Sequence, residues 1–262
     1  MLSIGLGFVE QVAEVAIRAG SEIMRVYSTD FAVETKADQT PVTAADKAAE
    51  EFILRVIREG LTDKYPIVSE ERFADGHIPD ITGTPFWLVD PLDGTKEFVS
   101  RNGEFTVNIA LIEHGAPVLG AVHAPAIGET YWASAGGAFA RIGDAAAINI
   151  SCRQPPAKGL TAYVSRSHFT PEVDTFLADY AIADKKSAGS SLKFCRIAAG
   201  QADIYPRLGR TMEWDTASGH AVLAFSGGVV NNIDGGPLTY GKPGFENPHF
   251  VAAGPGVLPE TA

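Results

Sequence analysis

The sequence contains few of the features that mark several broad classes of protein. Only two of its 262 residues are cysteine, Cys152 and Cys195, which is too few for a disulfide framework and favours a reducing compartment, the cytoplasm. Its longest apolar runs, such as 86–89 and 109–112, are far too short to cross a bilayer. Residues 1–20 lack the basic start and apolar stretch of a signal peptide. Peripheral association with an inner membrane is left open.

Basic residues are the minority among the charged side chains. The chain has 21 Lys and Arg against 32 Asp and Glu, a formal net charge of −11. A surface of that sign repels nucleic-acid backbones, so we expect no nucleic-acid partner. With 45% hydrophobic residues, the chain can bury a substantial core, as one large domain or as two small domains packed together.

Hydrophobic spacing organises the first part of the chain. Apolar residues recur at three- and four-residue steps over 8–26 and 44–58 and predict two helices. Short apolar segments bounded by glycine, proline and polar turns then predict strands at 67–68, 86–89, 105–112, 118–122, 129–133 and 138–142. A proline-rich stretch at 154–158 marks a boundary.

After this boundary, predicted strands and helices alternate. The strands are expected at 161–165, 202–205 and 229–233, and the helices at 171–180, 191–199 and 216–225. We therefore expect an α+β fold built as a layered sandwich. Residues 1–153 would form a half with a mainly antiparallel sheet, and residues 154–262 an α/β half.

The segment 90–95, Asp-Pro-Leu-Asp-Gly-Thr, carries the strongest indication of chemistry. A predicted strand ends at Asp90, Pro91 bars its ladder from continuing, and the glycine after Asp93 permits a tight turn. The two carboxylates and the Leu92 carbonyl would then converge as hard oxygen ligands, which suits Mg²⁺. The alternative is an ordinary Asx-type turn, because Asp-Gly is common in loops.

Further acidic residues lie at the ends of other predicted elements. Glu70 and Glu71 follow a β-like segment, Asp215 lies where a helix begins, and Asp46 follows Thr43 in a capping-box pattern. Each has a structural alternative. The glutamates could form an exposed charged turn, Asp215 an N-cap, and Asp46 a capping box with no other role.

Taken together, these segments resemble the inositol monophosphatase-like family of lithium-sensitive phosphatases. The matching segments follow one another in the right order over nearly the whole chain, at 41–46, 69–71, 90–95 and 214–215. The resemblance implies a magnesium-dependent phosphatase of small phosphorylated metabolites that uses two or three ions. It also implies the layered α/β/α/β/α sandwich of the sugar-phosphatase type.

The resemblance implies a role for each candidate site residue. The metal ligands would be Glu70, Asp90, the Leu92 carbonyl, Asp93 and Asp215, with Asp90 bridging two ions. Thr95, oriented by Asp46, would help to position and deprotonate the attacking water, and Glu70 joins them as a catalytic residue. The substrate phosphate would lie beside Asp93, Asp215 and the backbone N–H groups of Gly94 and Thr95.

Within this family, the chain is most similar to bacterial 3'(2'),5'-bisphosphate nucleotidases, which hydrolyse 3'-phosphoadenosine 5'-phosphate to AMP in sulfate assimilation. The similar segments are 90–98, 101–108, 165–168, 189–193 and 205–207. This implies nucleotide contacts from His168, Ser190, Lys193 and Arg207. By themselves, these residues could equally be a loop histidine, a helix cap, a solvated charge and an ion-pair partner.

Two other functions compete with this interpretation. An inositol monophosphatase or a broad sugar-phosphate phosphatase would need only one phosphate on its substrate, so Lys193 and Arg207 would be idle. A silent regulator would bind nucleotide or metal without turnover, but the intact set of candidate catalytic acids disfavours it. The relatives implied by the resemblance suggest a homodimer.

Overall fold

The chain begins with two packed helices joined through a short hairpin. The structure, a computed structural model, describes residues 4–35, 41–166 and 170–259. Helix α1 spans Leu6–Tyr27, and a hairpin of β1 (Val33–Thr35) and β2 (Pro41–Thr43) leads into α2 (Ala44–Val56). A π-helical turn continues α2 over Ile57–Leu61. The spacing of apolar residues predicted both helices, and their apolar faces pack together.

A seven-stranded sheet follows, with strands in the order β3-β4-β5-β6-β7-β8-β9. Only β3 and β4 are parallel, so the predicted mainly antiparallel sheet is confirmed. Two short helices, α3 and α4, follow β3 and β4. The bounds are β3 Ile67–Ser69, α3 Glu70–Ala74, β4 Phe86–Asp93, α4 Thr95–Val99, β5 Thr106–Glu113, β6 Ala116–Ala124, β7 Glu129–Ser134, β8 Gly137–Ile142 and β9 Ile148–Ile150.

The second half contains a five-stranded sheet in the order β11-β10-β12-β14-β13. Its elements are β10 Leu160–Ser165, α5 Pro171–Leu177, β11 Ile182–Ala188, α6 Leu192–Ala198, β12 Ile204–Arg207, α7 Glu213–Phe225, β13 Val229–Asn232, a 3₁₀ turn Pro243–Phe245 and β14 Phe250–Ala253. Strands β11 and β14 were not predicted. β11 is a mostly exposed edge strand with polar residues over 184–187, so it lacks the alternation that would reveal it.

The helices and sheets stack in five layers. Helices α1 and α2 cover one face of the seven-stranded sheet, and α7 packs on its other face. Helix α7 also contacts α6 and β13, so the α6–α7 layer lies between the two sheets. Helix α5 covers the outer face of the five-stranded sheet, where Val173 and Leu177 join a third apolar cluster. The predicted α/β/α/β/α sandwich is confirmed.

The core between the two sheets combines residues from both halves of the chain. Leu88 and Val122 from the seven-stranded sheet belong to one buried cluster with Phe194, Val222 and Phe250. The boundary after residue 153 stays a prediction. None of the helices in the described ranges is long and apolar enough to cross a lipid bilayer.

Candidate active site

A cleft of about 740 Å³ opens where β4 ends, and segments from both halves of the chain line it. Most of the residues predicted for the site lie in its wall, namely Glu70, Asp90, Leu92, Asp93, Gly94, Thr95, Ser190, Lys193, Arg207 and Asp215. Asp46 lies behind the wall and reaches the cleft through Thr95. The predicted contact from His168 falls outside the described residues.

Asp46 connects the start of α2 to the start of α4. Its Oδ2 accepts hydrogen bonds from the backbone N–H and the hydroxyl of Thr43, at 2.7 and 2.8 Å, which completes the predicted capping box. Its Oδ1 accepts a hydrogen bond from the Thr95 hydroxyl at 3.3 Å. Capping therefore leaves one carboxylate oxygen of Asp46 directed at Thr95, as the predicted pairing of these residues requires.

Asp90 and Leu92 lie on a bulge in β4. The pairing with β5 skips from Asp90, opposite Asn108, to Asp93, opposite Thr106, so β4 carries one residue more than its partner there. The expectation that Pro91 ends the ladder is therefore wrong, because the bulge absorbs the missing N–H and pairing resumes. The Asp90 carboxylate is buried and accepts the Leu92 N–H at 3.0 Å, while the Leu92 carbonyl accepts the Thr95 hydroxyl at 3.3 Å.

Asp93 is held by hydrogen bonds from both halves of the chain. Its Oδ2 accepts the Ser191 N–H at 2.8 Å, the Asn108 side-chain amide at 3.2 Å and the Thr106 hydroxyl at 3.5 Å. The pKa of Asp93 is raised to about 6, chiefly by burial. The carboxylates of Glu97 and Glu70 contribute to this rise, whereas the Lys193 ammonium and the Asn108 hydrogen bond oppose it.

Asp215 and Glu70 complete the acidic side of the cleft. Helix α7 begins at Glu213 rather than at 216, which puts Asp215 in its first turn with its carboxylate accepting the Met212 N–H at 2.9 Å. The N-cap position belongs to Met212, so Asp215 is not the cap residue. Burial, followed by the nearby Asp93 and Glu70 carboxylates, raises the pKa of Asp215 well above its ordinary value.

The chemistry of this donor set fits a hard cation. Within residues 4–35, 41–166 and 170–259, no three His, Cys, Asp or Glu side chains are arranged as a ready-made metal cage. However, the Glu70 carboxylate acts electrostatically on both Asp93 and Asp215, and the raised pKa values of Asp93 and Asp215 reflect their burial beside other carboxylates. Carboxylate and carbonyl oxygens are the ligands that Mg²⁺ prefers, so these residues can hold it. Their assignment as ligands stays a prediction.

A tight turn carrying Ser190 packs against Gly94. Gly94 has a left-handed backbone (φ 90°), and a Cβ placed on it would lie 2.3 Å from the Ser190 hydroxyl, so only glycine fits. The Ser190 hydroxyl lies 2.8 Å from the carbonyls of both Asp93 and Glu104. Neither Ser190 nor Ser191 caps α6 through its side chain, and the Ser191 N–H is bound to Asp93.

Lys193 is buried in the opposite wall of the cleft. Its ammonium donates to the carbonyls of Ser190 and Ala188, at 2.6 and 3.1 Å. Burial lowers the pKa of Lys193 to about 8, although the Asp93 carboxylate opposes that shift. Because Lys193 is buried, the alternative that it is a solvated charge on the helix surface is wrong. This cation is part of the protein's own framework as well as of the cleft wall.

Arg207, at the end of β12, is also buried, with 6% of its surface exposed. One guanidinium nitrogen donates to the Arg210 carbonyl at 2.8 Å. Its Nε has no hydrogen-bond partner among the described residues. A buried donor without a partner is costly unless a ligand supplies an acceptor, so Arg207 is suited to bind an anion in the cleft.

Sequence reasoning missed several residues that shape the site. Glu97 is buried in α4, four residues after Asp93, and adds negative charge beside it. Asp93 lies in β4 and Gly94 turns the chain between them, so no helical spacing indicated this contact. Asn108 reaches Asp93 only through the pairing of β4 with β5, which no local pattern reveals. Glu104 accepts hydrogen bonds from the second half of the chain, again without a local signal.

Comparison with known proteins identifies the family of the chain. The model of the inositol monophosphatase family matches residues 8–257. The chain belongs to the inositol monophosphatase family. As a member of this family it is a phosphatase, which confirms the prediction of an enzyme that hydrolyses phosphate monoesters.

Individual relatives point to one branch of the inositol monophosphatase family. The chain is 45% identical to the 3'(2'),5'-bisphosphate nucleotidase CysQ of Escherichia coli K12, over 92% of this chain and 97% of that one. It is 40% identical to CysQ of Buchnera aphidicola, over 93% and 92%. The crystal structure of CysQ from Bacteroides thetaiotaomicron superposes with a TM-score of 0.81 at 36% identity, covering 95% and 99%. The predicted resemblance to bacterial bisphosphate nucleotidases is confirmed.

Proposed function

We propose that the chain is a magnesium-dependent 3'(2'),5'-bisphosphate nucleotidase. It would hydrolyse the 3'-phosphate of 3'-phosphoadenosine 5'-phosphate to AMP and phosphate, in sulfate assimilation or nucleotide salvage. The observation that carries this proposal is the pairing, in one cleft, of an acidic wall with a wall that contains two buried cations, Lys193 and Arg207. The names of the relatives support the same substrate class.

The two walls match the two phosphates of such a substrate. The acidic wall can receive a phosphate only together with cations, because Asp93 and Asp215 would otherwise repel it. The second phosphate needs no metal if Arg207 binds it, since the unpartnered Nε of this guanidinium can donate to a phosphate oxygen. A monophosphate would leave this donor unused.

In this proposal, two or three Mg²⁺ ions are held by Glu70, Asp90, the Leu92 carbonyl, Asp93 and Asp215. Bound magnesium neutralises the carboxylates and supplies Lewis-acid activation of the phosphoryl group and of the attacking water. The hydrogen bonds to Asp93 from Ser191 and Asn108 fix the direction of that carboxylate beforehand.

The chain's own contribution to proton transfer lies at Thr95 and Asp46. The single hydroxyl proton of Thr95 has two acceptors at 3.3 Å, Asp46 Oδ1 and the Leu92 carbonyl. When Asp46 accepts it, the lone pairs of the Thr95 oxygen can accept a hydrogen bond from water. As that water attacks phosphorus, its proton can pass to the Thr95 oxygen while the Thr95 proton passes to Asp46. Thr43 keeps the other oxygen of Asp46 occupied, so the carboxylate does not rotate away.

Phosphate release from two substrates tests the proposal. The wild-type protein would be assayed on 3'-phosphoadenosine 5'-phosphate and on inositol 1-phosphate, with Mg²⁺, with EDTA, and with Mg²⁺ restored after EDTA. We expect the bisphosphate to have the higher kcat/KM, and we expect EDTA to abolish turnover reversibly. Asp90→Asn, which keeps the shape of the bulge, serves as the inactive control.

Other outcomes of this assay select the rival functions. Preference for inositol 1-phosphate would replace the nucleotidase by an inositol or sugar-phosphate phosphatase. Full turnover in EDTA would remove the magnesium assignment, and binding without turnover of either substrate would identify a silent regulator. The homodimer and the cytoplasmic location stay predictions, and light scattering would test the first.

A further inference from the structure

The carboxylate of Glu104 joins the two halves of the chain at the cleft. Glu104 lies in the loop between α4 and β5. Its carboxylate accepts hydrogen bonds from both Nε and Nη2 of Arg166, each at 2.9 Å, so the two side chains form a bidentate pair. The same carboxylate accepts the Gly189 N–H at 2.8 Å. The Glu104 carbonyl accepts the Ser190 hydroxyl at 2.8 Å. One residue of the first half therefore contacts the end of β10 and the turn between β11 and α6.

That turn, residues 188–190, is in contact with both walls of the cleft. The Ser190 hydroxyl also reaches the Asp93 carbonyl, on the acidic wall. The carbonyls of Ala188 and Ser190 hold the ammonium of Lys193, on the cationic wall. The fit is close, since a Cβ on Gly189 would lie 2.4 Å from the Glu104 carbonyl oxygen. Displacing the turn would therefore change the spacing between the two walls.

We propose that Glu104 is a positioning residue for substrate binding: with Arg166, it locks the turn 188–190 against Asp93 and Gly94 and so sets the distance between the two walls. The inference rests on the proposed function only in requiring a substrate that spans both walls. An ion pair as accessible as this one, with side chains 44% and 25% exposed, contributes little to global stability. Its effect should therefore appear in binding.

The chain offers a matched control in the pair Arg153–Asp203. This pair is also bidentate, at 2.8 and 2.7 Å, and Asp203 likewise accepts a backbone N–H, from Thr161 at 2.6 Å. Neither Arg153 nor Asp203 lines the cleft. Arg153→Ala therefore reports what the loss of such a pair does when only the fold is affected.

The kinetic experiment compares Glu104→Ala, Arg166→Ala, the double variant and Arg153→Ala, each assayed on the bisphosphate nucleotide. We expect each single variant at the cleft to raise KM about tenfold with kcat within about twofold, because one charge-assisted contact is lost. The double variant should be no worse than Glu104→Ala, since both changes break the same link. Arg153→Ala should lower Tm and leave KM unchanged.

Amide hydrogen exchange in the metal-free protein gives a readout that does not depend on activity. Glu104→Ala should accelerate exchange at Gly189 and at Ser191, whose N–H groups bind Glu104 and Asp93. Glu104→Gln keeps an oxygen for the Gly189 N–H, so it should restore slow exchange there in part and recover part of the affinity. Arg153→Ala should change neither amide.

Several results would overturn the positioning role. These are an unchanged KM in Glu104→Ala, a loss of kcat at constant KM, additive losses in the double variant, or unchanged exchange at Gly189. A failure of the substrate assignment can be distinguished from a failure of the positioning role. If the wild type prefers inositol 1-phosphate, the ratio of the KM of the variant to that of the wild type on this ester, together with the exchange rates, still decides whether Glu104 positions the turn.

Discussion

The two walls of the cleft both bury charge, but they compensate for it in opposite ways. On the acidic wall, burial raises the pKa of Asp93 to about 6 and raises that of Asp215 well above its ordinary value, and neighbouring carboxylates add to both shifts. On the cationic wall, burial lowers the pKa of Lys193 to about 8, and backbone carbonyls solvate its ammonium. The acidic wall therefore contains carboxylates that repel one another, whereas the Lys193 ammonium of the cationic wall is paired with backbone carbonyls.

This difference indicates which ligands each wall requires. Carboxylates that raise one another's pKa are stabilised by added cations, so the acidic wall is built to be completed by metal. Among the described residues of the cationic wall, the buried Arg207 Nε is a donor without a hydrogen-bond partner, so this wall is suited to bind an anion. Catalysis should therefore depend on the first wall, and substrate choice on the second.

The largest effect is expected from a change on the acidic side that leaves every carboxylate in place. Thr95→Ala removes the hydroxyl between Asp46 and the attacking water, so kcat should fall by about two orders of magnitude or more. KM should change little, because the interaction matters mainly in the transition state. Steady-state kinetics on the preferred substrate measures both constants.

Thr95→Ser is the matched control for this prediction, since it keeps the hydroxyl and should keep most of kcat. A rise in KM at unchanged kcat in Thr95→Ala would make Thr95 a binding residue. The proposed transfer of a proton toward Asp46 would then be wrong.

A smaller, substrate-dependent effect is expected on the cationic wall. Arg207→Ala removes a charge-assisted contact worth about 1.5–3 kcal/mol, so kcat/KM on the bisphosphate should fall about tenfold to a hundredfold. On inositol 1-phosphate the same change should be nearly silent. Arg207→Lys should restore only part of the activity, because a point charge cannot replace the planar guanidinium.

Two further variants define what the Arg207 result means. Arg210→Ala removes an exposed charge that lines the cleft and pairs with Glu246, and it should have little effect on either substrate. Lys193→Met should impair both substrates, since Lys193 holds the carbonyls of the turn. Equal losses on both substrates in Arg207→Ala would contradict a specific contact with the second phosphate.

The smallest effect concerns the pH dependence of stabilisation by magnesium. An acid whose pKa is raised from 3.8 to about 6 on folding binds protons more tightly when folded, so Asp93 lowers the free energy of unfolding as pH rises from about 4 through about 6. Mg²⁺ should offset this loss, raising Tm by a few degrees at pH 7.5 and by less at pH 5, where protons compete.

The difference in Tm with and without Mg²⁺ is the quantity to measure by calorimetry. Burial lowers the pKa of His123 and of His220 from 6.5 to about 4. These two residues therefore raise the free energy of unfolding as pH rises from about 4 to about 6.5, whereas Asp93 lowers it. Asp93→Asn should reduce the pH dependence of the magnesium effect. A stabilisation equally large at pH 5 and pH 7.5 would contradict binding at this carboxylate.

Local sequence patterns were sufficient for the parts of the protein that local physics controls. The apolar stripe of α1, the capping box at Asp46 and the Asp-Gly turn after β4 all depend on residues within a few positions of one another. Because of this, the sequence alone determined most helices and strands, the family, and the acidic segments that meet in the cleft.

The tertiary structure alone decided how those segments are joined. Glu104 contacts Gly189, 85 positions away, and Asp93 contacts Ser191, 98 positions away. The bulge at Pro91 and the burial of Lys193 likewise depend on strand pairing and on packing between the two halves. Such contacts leave no periodic trace in either segment, because each arises from the geometric fit between elements that are distant along the chain.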